Sequence, residues 1–128
     1  MSLAQAIAQF NQQEFYQCHD TLEALWMEAG DPQRRFYQGL LQIAVAYYHW
    51  GNGNRRGCAM LLGEGLRKLQ SFTDADSLGL DGGADFTVDV QPLLTTVAEH
   101  LTALHAGQTL SGIPKIQVLS SKPPRHST

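Results

Sequence analysis

Apolar residues recur along this chain at intervals of three and four, the spacing that gathers them on one face of an α-helix. Turn-forming glycine, proline and asparagine residues separate these stretches. The pattern predicts a short first helix and four longer ones, over about 2–10, 13–29, 32–50, 54–71 and 90–106. Because no convincing pair of strand patterns accompanies them, we predict an all-α fold, a compact bundle of four to five helices.

The predicted helix starts carry side chains that can accept a hydrogen bond from the first backbone N–H groups of a helix. These capping residues are Ser2, Asp31, Asn54 and Asp89, and Pro32 follows Asp31 at the first helical position. Between residues 72 and 88 the chain becomes acidic and rich in glycine, which predicts a loop.

Length and composition indicate a single folded unit. The chain has 128 residues, of which 43% are hydrophobic and 16% charged, enough apolar material for one core. We predict a helical-bundle domain over 1–110. The proline-containing segment 111–128 is predicted to be an extended or disordered C-terminal tail.

Charge and hydropathy argue against two classes of function. The formal net charge is −3 and the basic residues are scattered, whereas a nucleic-acid-binding protein usually presents a basic face. No apolar run approaches the roughly 20 residues of a membrane span, and the N-terminus does not resemble a signal peptide. Cys18 and Cys58 lie on predicted core faces and suggest buried, unreactive thiols. We therefore expect a cytoplasmic protein that binds neither nucleic acid nor membranes.

The predicted helix 13–29 has an apolar stripe with a polar pair at its edge. His19 and Glu23 are four residues apart, so their side chains are neighbours on the helix surface. On a helical wheel both lie beside the buried sector, with Trp26 close to them, whereas Thr21 falls on the solvent side. A histidine and a carboxylate at that position need polar partners.

The predicted helix 32–50 is apolar nearly all round, which indicates that it is central in the bundle. Its exception is a stripe formed by Gln38, Gln42 and His49. Burying such groups without partners costs on the order of 1–3 kcal/mol each. We therefore predict that this stripe meets the polar pair of helix 13–29 across the contact between the two helices.

The predicted helix 54–71 contains three glycines, each of which destabilises a helix interior by about 1 kcal/mol relative to alanine. Their presence suggests that at least one permits a neighbouring helix to approach closely. Gly57 and Gly65 are better placed for such a contact than Gly63.

Two motifs of this sequence resemble the uncharacterised family called domain of unknown function 309. The first comprises Phe10-Asn11, Glu14-Phe15-Tyr16, His19-Asp20-Thr21-Leu22-Glu23 and Trp26, and the second comprises Gln38-Gly39-Leu40-Leu41-Gln42, Ala44 and His49. A weaker third block is Asn54, Gly57 and Leu61-Leu62. The resemblance implies a compact helical bundle and implies no reaction.

The leading functional hypothesis is a noncatalytic binding or structural module without a cofactor, in which a buried polar network joins two helices. Its binding or network candidates are His19, Glu23, Trp26, Gln38, Gln42 and His49. Such a network would fix how the two helices pack. The same residues could instead line a pocket for a small-molecule ligand.

The alternative hypothesis is a metal-dependent hydrolase. The two imidazoles of His19 and His49 and the carboxylate of Glu23 would suit Zn²⁺ or a similar divalent metal with an open position for water. Asp20 or Glu23 could then act as the base. A third hypothesis is a protein-interaction adaptor or a homodimer, using the aromatic side chains around Tyr48 and Trp50.

Overall fold

The computed structural model describes residues 2–72 and 86–120. Most of the predicted acidic loop (73–85) and the end of the predicted tail (121–128) lie outside the described residues. The helices are α1 (Leu3–Asn11), α2 (Phe15–Glu28), α3 (Gln33–Gly51), α4 (Arg55–Leu69) and α5 (Gln91–His105); a 3₁₀ turn spans Gln70–Phe72, and two strands are β1 (Phe86–Asp89) and β2 (Gln117–Ser120). The predicted all-α bundle of four to five helices is confirmed. No described helix has the length and apolar character needed to cross a membrane.

Three of the predicted capping residues accept hydrogen bonds at helix starts. Ser2 Oγ accepts from a backbone N–H of α1 at 3.1 Å, and Asn54 Oδ1 accepts from one of α4 at 2.9 Å. Asp89 Oδ1 accepts from the first residue of α5 at 3.3 Å, although Val90 occupies the capping position itself. These bonds satisfy N–H groups that have no partner inside the helix.

The predicted cap by Asp31 is wrong. Helix α3 begins at Gln33 with Pro32 in the capping position, and no side chain makes a capping hydrogen bond there. The backbone N–H of Arg34 instead donates to the carbonyl oxygen of Gly30 at 2.9 Å. A backbone carbonyl thus satisfies a donor that the sequence assigned to a carboxylate.

Helix α3 occupies the centre of the bundle, packed against α2 on one side and α4 on the other. It approaches α4 closely at a pair of glycines. A Cβ atom on Gly65 would lie 2.9 Å from the carbonyl oxygen of Gly39 and 2.6 Å from Ile43 Cγ1, whereas a Cβ on Gly63 would meet nothing within 4 Å. The predicted close contact at Gly65 is therefore confirmed, and Gly39 is its partner on α3.

Helix α1 packs on the side of α2 that the helical wheel assigned to solvent. Thr21 is only 2% exposed, and its hydroxyl donates to Gln9 Oε1 at 2.7 Å. The predicted exposure of Thr21 is therefore wrong, because the wheel of α2 contains no information about where α1 lies. Next to it, the Cys18 thiol donates to the carbonyl oxygen of Ala6 at 3.3 Å, and burial raises its pKa to about 12. This thiol is buried and unreactive, as predicted.

A short antiparallel ribbon, which the sequence analysis did not predict, joins β1 to β2 with Val88 opposite Val118. The chain leading into β2 is attached to α1 by one side chain: Asn11 Nδ2 donates to the carbonyl oxygen of Ile116 at 3.1 Å, and Asn11 Oδ1 accepts from Ile116 N–H at 2.7 Å. Ile116 is 3% exposed. The Asn11 amide therefore satisfies both backbone groups of a buried residue, and segment 111–120 packs on the bundle.

A buried polar pair links α3 to α5. The Tyr47 hydroxyl and His100 Nδ1 share a hydrogen bond of 2.8 Å, and the two residues are 1% and 2% exposed. Burial lowers the pKa of His100, although the nearby Glu99 carboxylate and the Gly112 backbone act in the opposite direction. Burial also raises the pKa of Tyr47. Both groups are therefore held in their neutral forms inside the core.

Candidate functional site

Two cavities lie along the contact between α2 and α3, one on each side of Val45. The larger, called here the amide cavity, has a volume of about 310 Å³ and is lined by Glu23, Trp26, Gln38, Leu41, Gln42, Val45 and Leu61. The smaller, called here the histidine cavity, has a volume of about 130 Å³ and is lined by Phe15, Tyr16, His19, Val45, Tyr48 and His49. The structure thus divides the six candidate residues into a group of four and a group of two.

Helical spacing brings the walls of the amide cavity together. Glu23 and Trp26 are three residues apart on α2, and Gln38 and Gln42 are four apart on α3, so each pair shares one helix face. Leu61 closes the cavity from α4. The volume lies at the lower end of the range for small-molecule sites, which begins at about 300 Å³.

The amide of Gln42 is oriented by a residue that the sequence analysis did not select. Gln42 Nε2 donates to Glu64 Oε1 on α4 at 3.0 Å. Because a carboxylate accepts and does not donate hydrogen bonds, this contact fixes which end of the amide faces Glu64. Among the hydrogen bonds of the described residues, none joins Gln42 to His19 or Glu23, so the polar partner of α3 comes from α4.

Two polar atoms in the wall of the amide cavity have no hydrogen-bond partner among the described residues. They are the acceptor Gln42 Oε1 and the donor Trp26 Nε1, and both are shielded from solvent. A buried polar group in that condition costs on the order of 1–3 kcal/mol. These two atoms give the cavity an unused acceptor and an unused donor.

Charged groups of both signs surround the Trp26 indole. The Arg34 guanidinium lies 4.2 Å from the centre of the indole ring, within the range of a cation–π contact. Glu23 is exposed and lines the same cavity. The rim therefore favours neither anions nor cations strongly.

The histidine cavity brings His19 and His49 together, both half-buried, in a wall that is otherwise mainly aromatic. The Tyr16 and Tyr48 rings are 5.7 Å apart between centroids, and the Tyr16 and His19 rings 6.0 Å. Tyr16 and Tyr48 are 57% and 41% exposed. This wall resembles a packed aromatic surface with an imidazole on either side.

A separate group of possible metal ligands lies on α2 alone. One ligating atom from each of His19, Asp20 and Glu23 lies within 4.8 Å of the others, and His19 Nδ1 is 3.3 Å from Asp20 Oδ1. Within the described part of the chain His49 does not belong to this group. The structure therefore brings Asp20, and not His49, within ligating distance of His19 and Glu23.

The sequence analysis missed Leu61 and Glu64 as neighbours of the site. Both are on α4, and Leu61 is three residues before Glu64 and four before Gly65. Since Gly65 was already the predicted point of close helix contact, helical spacing would have placed both side chains beside that contact. The signal was present but required knowing that α4 meets α3.

The comparisons with known proteins concern mainly the first four helices, which contain both cavities. Residues 3–61 match the domain of unknown function, DUF309. The predicted resemblance to this family is confirmed. The DUF309 segment contains every residue that lines the two cavities, whereas Glu64 lies just beyond it.

A curated relative supports the same match. The chain is 38% identical over 74 residues to the uncharacterized protein YpuF of Bacillus subtilis (strain 168). The aligned region covers 55% of this chain and 41% of YpuF, so the chain spans about two-fifths of that relative's length. No solved structure matches.

Proposed function

We propose that this protein is a noncatalytic helical module that binds a small molecule in the amide cavity. The observation that carries the proposal is the pair of unpartnered polar atoms, Gln42 Oε1 and Trp26 Nε1, in the wall of a cavity of ligand size. A ligand that reaches them would offset the free energy lost by leaving them unpaired. Three apolar side chains, Leu41, Val45 and Leu61, supply the remaining contact surface.

The chemistry of the lining favours binding over reaction. Amide and indole groups do not titrate near neutral pH and are not nucleophiles, so Gln38, Gln42 and Trp26 can orient a ligand but cannot transfer its protons. Glu23 is the lining residue that carries a charge, and it is exposed to water. A module of this kind would recognise its ligand and leave it unchanged.

Protein-observed NMR with a diverse fragment library tests the proposal. We expect fragments to shift the backbone amide signals of Leu41, Val45 and neighbouring residues. Leu61→Trp would fill the cavity and should weaken these shifts at least tenfold. Met60→Trp is the matched control, because Met60 is adjacent in α4 but 58% exposed, and it should bind fragments as the parent does. Fragment binding that is absent, or equally strong in both variants, would contradict a site in this cavity.

A divalent cation site is the second candidate, supported by the close grouping of His19, Asp20 and Glu23. One imidazole and two carboxylates form a donor set that suits Zn²⁺. Such a cation would supply the Lewis acidity on which a metal-dependent hydrolase relies. Binding of the ion is therefore the first requirement of that alternative.

Isothermal titration calorimetry with zinc chloride separates the two possible ligand sets. If the grouping on α2 binds zinc, Asp20→Asn should weaken the affinity at least tenfold and His49→Gln should leave it unchanged. The opposite result would favour the set His19, Glu23 and His49 that the sequence suggested. Absence of a binding isotherm with the parent protein would remove the metal candidate altogether.

A further inference from the structure

The orientation of the Gln42 amide determines what kind of group can pair with it. Its Nε2 is already used by the Glu64 carboxylate, at 3.0 Å. The group that remains is the carbonyl oxygen Oε1, which can only accept. A ligand group that pairs with Gln42 without displacing Glu64 must therefore be a hydrogen-bond donor.

The second unpartnered atom has the complementary requirement. Trp26 Nε1 carries an indole N–H, which can only donate. Its partner on a ligand must be an acceptor such as a carbonyl oxygen. Because Trp26 and Gln42 line one cavity of about 310 Å³, a single small molecule can present both groups.

Charge and shape narrow the class further. The Arg34 guanidinium and the Glu23 carboxylate both lie beside Trp26, so an anion and a cation would each meet one favourable and one unfavourable charge. The apolar walls add a requirement for a small hydrophobic body. A neutral molecule satisfies these conditions at the lowest desolvation penalty.

We infer that the ligand of the amide cavity is a small neutral molecule with an amide-like edge, a neighbouring N–H and C=O attached to an apolar ring or chain. This inference rests on the proposed function and specifies the ligand class. The N–H donates to Gln42 Oε1 and the carbonyl oxygen accepts from Trp26 Nε1. Glu64 is a positioning residue, because it holds the Gln42 amide in the orientation that accepts.

Titrating 2-pyridone into ¹⁵N-labelled protein, with N-methyl-2-pyridone as the matched probe that lacks the donor, tests the class. The chain has two tryptophans, so the Trp50 indole signal serves as an internal reference for that of Trp26. We expect 2-pyridone to shift the Trp26 indole signal and leave Trp50 unchanged. N-methyl-2-pyridone should bind at least tenfold more weakly.

Two variants examine the role assigned to Glu64. Glu64→Ala should reduce the preference for 2-pyridone over its N-methyl form to less than threefold, because the Gln42 amide can then rotate. Glu99→Ala, at an exposed position on α5, should retain the full preference. An unchanged preference in Glu64→Ala would overturn the positioning role.

The outcomes separate this inference from the proposed function. Equal binding of the two probes, or library fragments that bind while 2-pyridone does not, would overturn the ligand class and leave the cavity as a binding site. Failure of 2-pyridone and of every library fragment to bind would overturn both.

Discussion

Replacing Gly65 by alanine should lower the free energy of unfolding by about 2 kcal/mol. Alanine stabilises a helix interior by about 1 kcal/mol relative to glycine. Here, however, the added Cβ would lie 2.6 Å from Ile43 Cγ1 and 2.9 Å from the carbonyl oxygen of Gly39, so α3 and α4 would have to move apart. Overpacking of this kind costs on the order of 1–3 kcal/mol, and a contact with backbone belongs at the upper end of that range.

Gly63→Ala is the matched control, two residues away in the same helix. A Cβ at Gly63 meets nothing within 4 Å, so this variant should be more stable than the parent by up to about 1 kcal/mol. Urea unfolding followed by circular dichroism would measure both variants. Equal stability of the two would show that α3 and α4 are not as close at this point as the structure indicates.

Removing the Tyr47 hydroxyl should have an effect of similar size. In Tyr47→Phe the His100 Nδ1 atom loses its partner at 2.8 Å while the imidazole stays buried, and such a loss costs on the order of 1–3 kcal/mol. The double variant Tyr47→Phe/His100→Leu removes both polar groups, so it should recover part of that loss. A double-mutant cycle by chemical denaturation measures the coupling, and additive effects would contradict it.

The same pair makes stability depend on pH. Because the pKa of His100 is lower in the folded protein than its ordinary value of 6.5, the unfolded chain takes up the proton first as the pH falls. The imidazole therefore contributes a loss of stability that begins near pH 6.5 and grows until the folded protein is also protonated. Thermal unfolding between pH 7.5 and 5 should show this loss, which should diminish in the double variant. His105→Gln, exposed on the same helix, should keep the dependence of the parent.

Much of the fold followed from local pattern. The spacing of apolar residues located all five helices to within a few residues, and Ser2 and Asn54 cap two of them as expected. These features depend on interactions within a few residues along the chain, which the sequence displays directly. The ribbon between β1 and β2 was missed because each strand has only four residues and its partner lies far away along the chain.

The candidate site was predicted in part. Glu23, Trp26, Gln38 and Gln42 do line one cavity, since helical spacing placed each pair on the correct face. Which residues pair with which could not be inferred in the same way. Helical wheels give directions around one helix, whereas the partner of Gln42 depends on how closely a third helix approaches.

The sequence by itself determined the helices, the buried face of each and the central position of α3, because the hydrophobic effect acts on a pattern that is visible along the chain. Only the tertiary structure decided that Thr21 is buried by α1, that Glu64 orients Gln42, and that Asp20 joins His19 and Glu23. The first two outcomes depend on contacts between helices, and the third on side-chain conformations. A hydrogen bond forms or fails over a few tenths of an ångström, a distance that no pattern of residue types encodes.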